Sequence, residues 1–239
     1  VPKAGAGVSG SSGAAGTSGA SGSGGAAGRA EQPARSGSVR ELGALRVAGN
    51  RIVDSVGRPV QLRGMSLFWT QWSNYYLAST IDQLADDWNA TVVRAALGVE
   101  NGGYLQSQAA NEAKVVTVVD RAIARDMYVI IDWHDHRAQD HQAAAIDFFT
   151  RMAKKYGAAP NVMFEIYNEP LMVGWPVVKS YAEAVLAAIR GTGSNNLVIV
   201  GTPNWSQDVD VAAANPITAY PNVAYTLHFD DSRNKPIFC

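Results

Sequence analysis

The residues best suited to chemistry in this 239-residue chain sit where apolar runs end. The run Asn161-Val-Met-Phe-Glu-Ile-Tyr-Asn-Glu-Pro170 closes on a carboxylate. It reads as a buried strand stopped by Pro170, because proline has no N–H to continue a ladder. Such a strand delivers Glu169 to a rim as a group that can give or take a proton, with Asn168 beside it to hydrogen-bond the carboxylate or a ligand. On this stretch alone, an acidic turn residue facing water is an equal reading. Other polar residues follow the same pattern: Arg94 within its strand, Asp132 and His134, Trp205 just past a strand, and His228. Random surface polarity does not select strand ends, whereas barrel active sites do. Aromatic residues accompany this ring: Phe68, Trp69, Trp72, Tyr75 and Tyr76, then Tyr104, then Trp175. Tryptophan offers a flat apolar face that matches the C–H face of a pyranose ring.

Asp132, His134, Asp135, His136, Asp140 and His141 also have the residue types of metal ligands, and positions 132, 134 and 136 would share a face of a continuing strand. A metal site needs a further ligand fixed elsewhere, and the loop residues here look solvated. The site is therefore read without a metal.

The elements that must position these residues follow a repeating order. Residues 1–41 are dominated by Gly, Ser and Ala and read as a disordered, flexible linker, of the kind that joins two modules. From Leu42 apolar residues alternate, and Leu45–Val47, Arg51–Asp54 and Pro59–Leu62 read as a small hairpin region. Strands are then expected at Val60–Gly64, Thr91–Leu97, Tyr128–His134, Asn161–Pro170, Leu197–Gly201 and Val223–Phe229. Helices are expected at Thr80–Trp88 (capped by Ser79 or Thr80), Asn111–Arg125, His141–Tyr156 and Val177–Arg190. Strands that are nearly continuous Val, Ile and Leu, each followed by an amphipathic helix, signal a parallel sheet with a covered outer face. A doubly wound sheet would carry a glycine-rich phosphate loop after an early strand. Gly191-Thr-Gly193 comes nearest, but it follows a helix instead. The net charge of −1 gives no reason to expect nucleic acid or an anionic membrane as partner. The single cysteine, Cys239, excludes an internal disulfide framework.

Six segments together resemble the family 5 glycoside hydrolases, nearest the bacterial-type endo-β-1,4-glucanases. They are Arg63-Gly-Met-Ser-Leu-Phe-Trp-Thr-Gln-Trp72, Val93-Arg-Ala-Ala96, Ile131-Asp-Trp-His134, Phe164-Glu-Ile-Tyr-Asn-Glu-Pro170, Trp205-Ser-Gln-Asp-Val209 and Leu227-His-Phe229. The resemblance covers residues 42–229 and implies an α/β fold, a (β/α)8 TIM-type barrel, that cleaves cellulose with retention of configuration. By this likeness Glu169 is the acid/base and Asn168 binds the sugar 2-hydroxyl. Arg94 and His134 are polar supports, and His228 is a partner of the carboxylates. Trp72 and Trp205 match the sugar-stacking tryptophans, with Phe68 and Trp69 beside them. It further implies a β-1,4-glucan substrate, no cofactor, a secreted protein, and a carbohydrate-binding module upstream of the linker. A β-mannanase or xyloglucanase shares the same motifs.

The family's nucleophile lies in a segment that reads like Pro-Ile-Phe-Val-Thr-Glu-Trp-Gly, and Pro236-Ile-Phe-Cys239 resembles only its start. Asp230 stands where a tyrosine is usual, and residues 230–235 are too few for a crossover helix. The expectation is a C-terminally truncated barrel of about six of eight units with residues 42–239 as its catalytic part, lacking the nucleophilic glutamate and impaired in hydrolysis. A non-catalytic β-glucan-binding remnant is the rival. Glu165 shares a strand face with Glu169, but four extended residues separate them by about 13 Å, too far for a catalytic pair. It reads as a structural acid paired with Arg94. Asp230, on the face of His228, is a weak substitute.

Overall fold

A computed structural model describes residues 36–229. Residues 1–35 of the expected linker, Asp230 and the Pro236–Cys239 segment lie outside the described residues. The last residues assigned to the linker are ordered: Val39–Leu42 form one helical turn (α1), with the Ser38 N–H donating to Glu41 Oε2 at 2.9 Å. Val39 and Leu42 are buried.

Strands β1 (Arg46–Ala48) and β2 (Arg51–Val53) form an antiparallel hairpin. A six-stranded sheet follows, β3 (Gly64–Ser66), β4 (Val92–Gly98), β5 (Tyr128–His134), β6 (Val162–Glu165), β7 (Val198–Val200) and β8 (Val223–Tyr225). Every adjacent pair is parallel. Between them run α2 (Ala78–Asp86), α3 (Gln108–Ala124), α4 (Gln142–Tyr156), α5 (Trp175–Gly191), a short turn α6 (Pro203–Ser206) and α7 (Val209–Ala214). The strands lie in chain order without reversal. That is the winding of a (β/α)8 barrel, six of whose strands fall among the described residues, and not of a doubly wound sheet.

The period of two along each strand sorts side chains into two layers. Val93, Ala95 and Leu97 of β4, Val129, Ile131 and Trp133 of β5, and Val198 and Val200 of β7 pack in the cluster shared with the helices. The alternate residues Tyr128, Met163 and Leu197 pack with Val39, Leu42 and Leu45, joined by Val92, Ile130 and Ile199. The hairpin and α1 thus close the floor beneath the N-terminal ends of the strands. Higher on the same inward face the residues turn charged: Arg94, Asp132, His134 and Glu165. An apolar floor supports a polar rim.

Four elements differ from the sequence reading, and one of them is β8, which ends at Tyr225 and not at Phe229, so that His228 lies in the segment beyond it. The first sheet strand is Gly64–Ser66, not Val60–Gly64, because Val60 and Leu62 pack into the floor cluster. At Gly64 a Cβ would lie 1.7 Å from the Val92 carbonyl oxygen, so only glycine lets β3 approach β4. Helix α2 starts at Ala78 with Leu77 as N-cap, leaving Ser79 and Thr80 inside its first turn. Strand β6 ends at Glu165, so Asn168 and Glu169 sit in the loop beyond it.

Candidate active site

Arg94 organises the centre of the rim. Its Nε meets Glu165 Oε2 at 2.6 Å, and its Nη2 meets Asp132 Oδ2 at 2.9 Å and Asn168 Oδ1 at 2.8 Å. Asp132 and Glu165 are buried. Burial pushes the Glu165 carboxyl up, opposed by the Arg94 guanidinium and reinforced by Asp132. For Arg94 burial works against the charge, and the attraction of Asp132 and Glu165 outweighs it. The pairing of Glu165 with Arg94 expected from sequence is present.

Glu169 stands apart from that ion cluster, 27% exposed, with Oε1 2.8 Å from His228 Nδ1. His136 Nδ1 reaches the Glu169 carbonyl at 3.2 Å and its Oε2 at 3.6 Å. Burial alone would raise the Glu169 pKa, but the His228 hydrogen bond and the charges of His228, His136 and His134 draw it below the ordinary value. The same His228 ring places Nε2 3.9 Å from Glu165 Oε1. The chain leaves the strand after Glu165, and one imidazole reaches the carboxylates of both glutamates. A carboxyl depressed on folding favours the folded state above its unfolded value of 4.5 and loses that contribution as pH falls through its folded value. Glu169→Gln should flatten the loss of stability below pH 4.5 in urea titrations. Superimposable acid profiles would contradict the pairing.

The aromatic residues form a continuous line toward this cluster. Tyr75 stacks on Phe68 (5.8 Å), Phe68 contacts Trp72 (5.7 Å), Trp72 meets Trp69 edge-on (5.1 Å), and Trp69 lies 5.2 Å from His134. Phe68, Trp69 and Trp72 are exposed, unusual for side chains of this size. A cavity of about 210 Å³ opens beside them, lined also by Gly98, Glu100 and His134. Three other aromatics expected at the mouth are buried, the first being Tyr76, whose Oη donates to the Ala96 carbonyl at 2.7 Å. Tyr104 packs edge-on to Trp133 and Phe148, and Trp175 Nε1 donates to the Asn215 carbonyl. The metal-ligand types disperse onto separate partners: His134 Nδ1 lies 2.8 Å from Asp132, His141 Nδ1 2.7 Å from Asp135, and His136 against Glu169. Among the described residues no group of three or more converges as a metal site.

Trp205 lies in an uncommon segment. Asn204, Trp205 and Ser206 have φ of 57°, 57° and 58°, three successive left-handed residues without a glycine. Each costs on the order of 1–3 kcal/mol and persists only where the surroundings hold it. Trp205 N–H donates to the Pro170 carbonyl at 3.1 Å and Asn204 Nδ2 to Asp208 at 3.2 Å. This turn presents Trp205 to a second cavity of about 560 Å³ lined by Met172, Trp175, Pro203 and Val211. Sequence reasoning missed Ser206, Gly201 and the contact of His136 with Glu169. Pro203 after a strand was the available sign of an abrupt turn. Asn168 Nδ2 is buried and has no hydrogen-bond partner among the described residues.

The family model for cellulases of glycosyl hydrolase family 5 matches residues 53–234. Endoglucanase Z of Dickeya dadantii is 53% identical over 191 residues, covering 77% of this chain and 44% of its own length. Endoglucanase E-5 of Thermobifida fusca is 37% identical over 210 residues, covering 83% and 45%. The crystal structure of the catalytic domain of Thermobifida fusca endoglucanase Cel5A superposes with a TM-score of 0.76 at 35% identity, covering 80% of this chain and 67% of that one. A variant of that domain was solved in complex with cellotetraose. This chain spans less than half the length of each of these two curated relatives.

Proposed function

The chain belongs to glycosyl hydrolase family 5, and from that premise we propose that its rim is the cleaving face of an endo-acting β-1,4-glucanase working with retention of configuration. The observation that carries the reading is the unbroken aromatic line from Tyr75 to His134, ending beside the Glu169–His228 pair. A glucan chain laid on Phe68, Trp72 and Trp69 would bring a glycosidic oxygen toward Glu169, with Trp205 on the far side. Glycosidic oxygen is a poor leaving group, so Glu169 must arrive protonated and return later as a base. Its histidine neighbours alone keep it a carboxylate. A second carboxylate about 5–5.5 Å away would repel that charge and raise its pKa into the working range. Asn168 Nδ2 is the donor for the sugar 2-hydroxyl, and Arg94 and His134 hold the framework.

The attacking carboxylate is the remaining requirement. Among the described residues the inward acids that share this cluster, Asp132 and Glu165, are engaged by Arg94 and unsuited to attack an anomeric carbon. A second reading is a β-glucan-binding rim, for which the exposed aromatic line would serve without any bond being cut. Polymeric glucan does not cross membranes, which is a reason to expect either protein to act outside the cell.

Calorimetric titration with cellotetraose tests both. The chain should bind it, and Trp72→Ala or Trp205→Ala should bind roughly tenfold more weakly, the loss of about one stacked ring. No binding by the unaltered chain, or binding by both variants as tight as that of the unaltered chain, would refute the proposed cleft. Release of reducing ends from cellulose then separates the enzyme from the binding protein.

A further inference from the structure

The strained turn that presents Trp205 also contains the most fully engaged small side chain near the rim. Ser206 is fully buried, and every polar atom it has is used. Its N–H donates to the Thr202 carbonyl at 2.9 Å, and its Oγ accepts the Thr202 N–H at 3.3 Å. That Oγ donates in turn to the Asn168 carbonyl at 2.7 Å, while the Ser206 carbonyl accepts the His228 N–H at 2.8 Å. One residue therefore joins the loop after β7 to the loop after β6, which carries Asn168 and Glu169, and to the segment after β8, which carries His228. The left-handed φ of 58° is what aims the hydroxyl and the carbonyl at these two loops from a single Cα. A conformation this costly for serine, in a buried turn with no glycine, points to a requirement for the hydroxyl and not for backbone freedom.

We propose that Ser206 is a positioning residue: its hydroxyl and carbonyl lock the Asn168–Glu169 loop against the His228 segment and hold those two side chains in hydrogen-bond contact. The inference rests on the reading of Glu169 as the proton-transfer group. Ser206 touches no substrate and acts through Glu169 and His228. The other groups around Glu169 come from different elements: His134 of β5, His136 after β5, Arg94 of β4 and Glu165 of β6. None of them bonds to Ser206, so its loss leaves them in place while loosening the His228 contact.

The test is a carbon-13 NMR titration of the Glu169 carboxyl in the full chain, assigned by its disappearance in Glu169→Gln. In the unaltered chain it titrates below the ordinary glutamate value. In Ser206→Ala it should move upward by on the order of half a pH unit as the His228 bond lengthens. Ser206→Gly separates hydroxyl from conformation, because glycine relieves the left-handed strain yet also lacks the oxygen. It should shift as alanine does, and it carries the measurement if Ser206→Ala does not fold. An unchanged Glu169 titration in a folded Ser206→Gly chain overturns the proposal and leaves only a structural role. The readout needs no sugar, so failure to bind cellotetraose refutes the glucanase reading without touching this result.

Discussion

Arg94→Met is expected to destabilise the chain by about 3–5 kcal/mol, a large share of the roughly 5–15 kcal/mol that holds a domain folded. Among the described residues the guanidinium is the only cation hydrogen-bonded to Glu165, and it also pairs with Asp132, both on the inward face of the sheet. Methionine fills much of the space yet leaves two buried carboxylates facing each other. One must then take a proton, or water must enter the barrel. The measurement is the urea midpoint, with Arg94→Met/Asp132→Asn/Glu165→Gln as the companion. Removing the acids together with the cation should recover most of the loss, because the penalty belongs to unpaired charge and not to missing volume. A triple variant no more stable than Arg94→Met would show that Arg94 acts through packing.

Gly201→Ala should have the next largest effect, and its origin is space alone. A Cβ there would lie 2.4 Å from the Tyr167 carbonyl oxygen, 2.8 Å from that of Asn168 and 2.9 Å from Pro170 Cδ. Two of the three are backbone atoms, so the loop itself must move. Overpacking of this kind costs about 2 kcal/mol, or roughly 4–8 °C in Tm for a domain of this size. The displaced loop carries Asn168 and Glu169, so the variant should also weaken the Glu169–His228 bond and cellotetraose binding together. A Tm within 1 °C or so of the parent would mean that the loop gives way freely, contrary to the tight contacts around it.

How much of this was legible in the sequence depended on whether the deciding interaction was local. Strand β5 appears over Tyr128–His134 as read, because seven residues of near-continuous apolar sequence leave one choice of period and two clear ends. Arg94, Asp132 and Glu165 could be placed on the inward face from alternation alone. The first sheet strand was misplaced because Val60 and Leu62 have strand-like composition but are drawn into the floor by contacts with residues far along the chain. Tyr104 and Trp175 were given to the mouth by their position after strands, and packing with Trp133 and Tyr225 takes them inside. The bend after Glu165, which brings Glu165 and Glu169 against one ring, has no local signal beyond Pro170. The turn at Ser206 is announced only by Pro203, and its conformation is decided by partners on other loops.

The floor of the barrel carries a consequence in time. Val47 N–H donates to Asn222 Oδ1 at 2.8 Å, Asn222 Nδ2 reaches the Leu45 carbonyl at 3.4 Å, and Tyr128 Oη donates to the Gly43 carbonyl at 2.6 Å. The first of these closes a loop of 175 residues. During synthesis the hairpin emerges first and waits for β8, the last described strand, before its polar groups find these partners. Contacts of such separation form late and slowly, after their closure entropy has been met. The hairpin is therefore made before every strand of the six-stranded sheet and is among the last elements secured. A ribosome-stalled chain ending short of Asn222 should hold its βα units loosely and leave this clasp open to protease.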